Sequence, residues 1–150
     1  MRTVLTSCLA VVVLALPFGR AEEKKGKFDA GKLVGTWKYT AGTKGGEKVA
    51  PEMLAGQVVF TKDTITLPAG PDQKFVMAYK IVGEGSPAKI DMEIKDGPVK
   101  EGKAQGIVSL EGEVLKICYK PDLGDGAKRP EKFESTKDNG NFLFELKKAK

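Results

Sequence analysis

The sequence predicts an all-β fold: a small antiparallel up-and-down β-barrel of about eight strands, preceded by a signal peptide. Three observations predict it. No window holds a helical period longer than a turn or two. Short segments with a period of two recur along the chain with turn residues between them, the pattern of antiparallel strands joined by hairpins. Several of these alternations leave one side fully polar, so one enclosed core can serve every strand. A length of 150 residues is one domain's worth, and 41% apolar with 30% charged residues is a globular composition.

The elements follow in order. Met1-Arg2-Thr3 is a short positive start, and Val4 to Phe18 is an apolar run of 15 residues. Gly19 and Ala21 stand three and one before a cut after Ala21, the layout of a secretory signal peptide over residues 1–21. The run falls short of the ~20 residues a membrane-spanning helix needs. The expectation is an exported chain, periplasmic or secreted, that starts at Glu22 and is not inserted in a membrane. Residues 22–30 are rich in Lys and Glu and read as a flexible tether, and the barrel domain spans 31–148.

The first strand covers Leu33 to Thr40, with Leu33, Trp37 and Tyr39 on one face. Ala41 to Lys48 reads as a Gly- and Lys-rich loop. Ala50 to Ala55 suits one helical turn, because Pro51 fits a first helical position. Strands follow at Gln57–Thr61, Thr64–Leu67 and Lys74–Val82, the last with Phe75, Met77, Tyr79 and Ile81 on one face. Lys89 to Lys95 has the cleanest alternation, Ile90, Met92 and Ile94 against Lys89, Asp91, Glu93 and Lys95. Gly106–Leu110 and Glu113–Lys120 are joined at Glu111-Gly112. A short strand is expected at Lys132–Ser135, a hairpin turn at Asp138-Asn139-Gly140, and a last strand at Asn141–Lys147 with Phe142, Phe144 and Leu146 inward.

Charge excludes some functions. The formal charge is +5, but without Arg2 and Arg20 of the leader 23 basic side chains stand against 20 acidic ones, interleaved along the chain. Of the 25 basic residues 22 are Lys, whereas nucleic-acid recognition concentrates charge on one face and often uses Arg. No nucleic-acid partner is expected. Cys8 leaves with the leader, so Cys118 has no partner for an intrachain disulfide. The chain has no His, which argues against both a zinc site and a base for a Cys118 nucleophile.

Gly35-Thr36-Trp37-Lys38 resembles the Gly-x-Trp of lipocalin-like barrels. Pro87-Ala88-Lys89-Ile90-Asp91, Gly106 to Gly112, Leu115 to Tyr119 and Arg129-Pro130-Glu131-Lys132-Phe133 are similar to an uncharacterised lipocalin-like domain abundant in planctomycete bacteria. The resemblance runs from about Gly31 to Lys148. It implies a small secreted or periplasmic barrel with no assigned activity. In lipocalins a basic side chain covers the Trp at the closed end. Gly35, Trp37 and Arg129 are therefore the candidates for closing the barrel, although Arg129 precedes the last strands instead of following them. Arg129 is either a cation over Trp37 or a solvated loop residue before Pro130.

Three functions compete. The first is a non-enzymatic exported barrel that holds a small apolar ligand, with Tyr39, Phe75, Met77, Tyr79 and Tyr119 as candidate contacts and no cofactor or metal. The second is an envelope interaction module whose barrel is filled and whose loops bind a protein. The third is an enzyme, for which the chain offers least. Asp91 and Glu93 point the same way but lie on the polar side of their strand, flanked by Lys89 and Lys95. Asp122 to Gly126 lacks the ligand spacing of a calcium loop. Gly35 and Ser109 are the small residues assigned inward. The interior is thus expected to be mostly filled over Trp37, with a shallow apolar pocket at the other end.

Overall fold

The structure is a computed structural model, and it describes residues 28–83 and 85–150. The signal peptide and residues 22–27 of the expected tether lie outside the described residues. Nine strands form one sheet: β1 (Gly35–Lys44), β2 (Glu47–Lys48), β3 (Gln57–Phe60), β4 (Thr64–Pro68), β5 (Lys74–Val82), β6 (Ala88–Asp96), β7 (Lys103–Glu111), β8 (Val114–Asp122) and β9 (Phe142–Lys148). One helical turn, α1 (Pro51–Leu54), joins β2 to β3. Every pairing is antiparallel between sequence neighbours, except that β1 skips β2 to pair with β3 and that β9 returns to β1. That return closes an eight-stranded barrel, with β2 as one extra strand beside β1. Closure leaves no free edge among the barrel strands.

The interior follows from the alternation. Trp37, Val58, Phe60, Ile65, Met77, Ile90, Met92, Val108, Leu115, Ile117, Phe144 and Leu146 are buried in one cluster. The outward partners between them carry Lys, Asp and Glu, as in β6, where Lys89 and Glu93 are exposed beside buried Ile90 and Met92. The rings gather in two groups. Near the start of β1, Trp37 meets Phe60 edge-on at 6.5 Å and Phe60 meets Tyr79 at 5.8 Å. Near the start of β9, Tyr39, Phe144, Tyr119 and Phe142 lie 5.3–6.1 Å apart in a chain. Edge-on and offset contacts suit the ring quadrupoles.

The first group closes the barrel. A turn of 3₁₀-helix, Ala30–Leu33, lies under it, capped by the Asp29 carboxylate, which accepts from the Gly31 N–H. Phe28 packs half-buried against the core, so residues 28–30 belong to the barrel rather than to the expected tether. The Trp37 indole donates to the Leu33 carbonyl at 2.8 Å.

Four expectations change. β1 runs on to Lys44 and turns through Gly45 and Gly46 into β2, so the expected loop from Ala41 is a hairpin. A bulge between Tyr39 and Ala41 resets the phase of β1, so Gly42 and Lys44 follow Trp37 and Tyr39 inward. Gly35 keeps its inward position opposite Phe60, but Ser109 pairs with exposed Lys116 and faces outward, and the further small inward residues are Gly42, Ala88, Ala104 and Gly106. Residues 132–135 form no strand, because the closed barrel has no edge for one to join. They lie against the outside of β8 and the start of β9. There Cys118 is fully buried under the chain, its thiol 3.6 Å from the Glu134 carbonyl.

Candidate functional site

The barrel ends differ. At the Trp37 end, Gly35 has φ +137°, a region open mainly to glycine. A Cβ there would stand 3.3 Å from the Lys148 side chain. Lys148 is the direct cross-strand partner of Trp37 on β9, and its ammonium lies 5.5 Å from the indole centre. The cation over the closing Trp is therefore Lys148, supplied by the last strand. Arg129 is elsewhere. Its guanidinium donates to the carbonyls of Ile90 at 3.1 Å and Gly106 at 3.0 Å and pairs with Asp91. It is neither over Trp37 nor a solvated loop residue: it pins the long loop before β9 to the outer wall of β6 and β7.

The opposite end holds an apolar recess of about 190 Å³. Leu67 from β4, Phe75 and Met77 from β5, Ile94 from β6, Tyr119 from β8 and Phe142 from β9 form its walls. The strands bring these together because their inward positions fall in register: Leu67 opposite Phe75, Met77 opposite Ile94, and Tyr119 opposite Phe142. On the rim Val99 is 51% and Leu123 90% exposed, apolar side chains facing water beside Glu101, Lys103 and Asp122. Below the recess a void of about 20 Å³ separates the two ring groups, room for about one water. Tyr119 lines both spaces.

Among the five candidate contacts, Phe75, Met77 and Tyr119 line the recess. Tyr39 lines the inner void instead, and Tyr79 turns to the closed end, where its hydroxyl donates to the Thr61 carbonyl at 2.7 Å. Burial pushes the Tyr39 and Tyr119 phenols well above the usual range. Burial also raises Tyr79, with the Asp63 carboxylate adding to it.

Sequence reasoning missed Lys44 at this end. Its ammonium lies 5.2 Å from the Phe142 ring centre and 5.9 Å from that of Phe144, and burial lowers its pKa. Read as loop, Lys44 had no face; only the bulge after Tyr39 brings it inward, and no residue type marks that bulge.

The other candidates are engaged structurally. Burial raises the Cys118 thiol, more than the Glu134 carbonyl contact lowers it. Asp91 pairs with Arg129 and Glu93 with Lys95 at 3.2 Å. The Asp122 carboxylate accepts from the N–H groups of Gly124 and Gly126. Among the described residues no three His, Cys, Asp or Glu stand close enough to hold a metal ion. Two larger hollows, about 340 and 410 Å³, are open grooves lined largely by charged and polar side chains such as Lys120, Lys128, Asp91 and Glu93. Comparison with known protein families, curated proteins and solved structures gives no match.

Proposed function

We propose that the chain is an exported, non-enzymatic, lipocalin-like barrel that holds a small apolar ligand in the recess opposite Trp37. The observation that carries this reading is the recess itself: six apolar or aromatic side chains from five strands converge there, with the Tyr119 hydroxyl as the one polar side-chain group among those six. At about 190 Å³ it lies below the roughly 300–1,000 Å³ of drug-sized sites. It therefore suits a short chain or a small aromatic molecule, not a large cofactor. The apolar run and small residues before Glu22 support export.

The test is titration with a neutral apolar probe, N-phenyl-1-naphthylamine, read by probe emission. One saturable site per chain is expected. Ile94→Trp, at the recess wall, should abolish it, and Ser109→Trp, on the outer wall, should leave it unchanged. Absence of saturable binding would overturn the reading in favour of an interaction module. That second reading has its own observation: a void of only about 20 Å³ below an exposed apolar rim at Val99 and Leu123.

A further inference from the structure

The recess has an unequal rim. On the β7–β8 side stand Glu101, Lys103 and Asp122. Beside the recess on the β1–β9 side, next to its lining residue Phe142, Lys44 holds its ammonium over the Phe142 and Phe144 rings. Among the described residues no carboxylate lies within ion-pair distance of Lys44. Its direct hairpin partner, Glu47, is turned to Lys137 at 4.0 Å. Ring faces substitute only in part for water around an ammonium. Burial lowers the Lys44 pKa by taking the ammonium partly out of water. Phe142 joins the two features. It forms a wall of the recess, and Lys44 stands 5.2 Å from its centre.

From this juxtaposition we propose that the recess takes a small amphiphile with one anionic head, of the short-chain carboxylate class. Its tail lies against Phe75, Met77 and Ile94, and its carboxylate pairs with Lys44 across the edge of Phe142. The inference rests on the reading of the recess as a ligand site, and it names the ligand's charge. A carboxylate at Lys44 supplies the missing counter-charge in a partly dry setting, where an ion pair outweighs its value on an open surface. A cationic amphiphile would meet Lys44 as a like charge.

The experiment displaces N-phenyl-1-naphthylamine from the whole chain with octanoate, octanol and octylammonium at neutral pH. Octanoate should compete at roughly fivefold lower concentration than octanol, the ratio an ion pair of about 1 kcal/mol gives. Octylammonium should compete more weakly than octanol. Lys44→Met should abolish the preference for octanoate while keeping the affinity for octanol, and Lys44→Arg should retain the preference. Equal competition by octanoate and octanol, or a preference that survives Lys44→Met, overturns the proposal while the ligand site stands. No probe binding at all removes the site itself. Vesicles of phosphatidylglycerol should not sediment the protein; sedimentation that Lys44→Met abolishes would move the counter-charge to a lipid surface and overturn the free-carboxylate assignment.

Discussion

Gly35 and Lys148 determine how Trp37 is held. Trp37 is fully buried, its N–H is bonded to Leu33, and its outer face is covered by Lys148. Lys148 reaches the ring because Gly35, with no Cβ, leaves the path open. Gly35→Ala is expected to cost roughly 1–3 kcal/mol, since it forces a side chain into a backbone region nearly reserved for glycine. Lys148→Ala should cost about 0.5–1 kcal/mol, the value of an exposed cation over a ring. Urea unfolding followed by Trp37 emission measures both. The tyrosines give a pH prediction. The chain has three, and all three phenols are raised above their ordinary value of 10.0. The folded state therefore holds protons that the unfolded state has released. Stability is full below pH 10.0 and falls as pH rises through and beyond it. At pH 10.0 the native protein should show less phenolate absorbance than the chain in denaturant, which should be about half ionised. Half-ionised tyrosine in the native protein would refute the burial of these rings.

The long segment before β9 is legible as irregular from Gly124, Gly126 and Pro130, but its role is not. Residues 132–135 alternate like a strand, and what keeps them from being one is the closed barrel, a property of the whole sheet. The alternation of Lys89 to Lys95, by contrast, matches β6 nearly residue for residue, because there one face is core and the other water. Arg129 anchors the covering segment by bonds to both β6 and β7. Arg129→Lys loses the planar fork, and Arg129→Ala loses all of it. Each should loosen the segment over Cys118 without opening the barrel, whose core Arg129 does not touch. The expected outcome is faster modification of Cys118 by an aromatic disulfide reagent, from near zero in the parent chain and fastest in Arg129→Ala. Trp37 emission should stay native. Cys118→Ser should leave ligand binding unchanged, because the thiol faces the outer wall and not the recess.

For the molecule as a whole, the two ring groups divide the barrel's labour. The inward bulk that fills the Trp37 end is visible in the sequence, since most inward positions of β3, β5, β6 and β8 carry large apolar residues. The recess was legible only as a class of site: Phe75, Met77 and Tyr119 stand in it, but Tyr39 and Tyr79 share their faces without sharing their depth along the barrel. Alternation assigns a side, and strand stagger assigns the depth. The two groups also separate the signals of binding and folding. Trp37 sits behind Phe60 at the closed end, while a ligand sits beyond Tyr119 and Phe142 at the other, with a void of only about 20 Å³ between. A ligand in the recess should therefore leave native Trp37 emission unchanged. The same ligand binds only the folded chain, so it should raise the unfolding midpoint read at Trp37, by about 2.7 kcal/mol in stability at a hundredfold excess over Kd. A blue or red shift of native Trp37 emission on binding would mean that the ligand passes Tyr119 and displaces the inner rings, and the recess would then be the mouth of a deeper site.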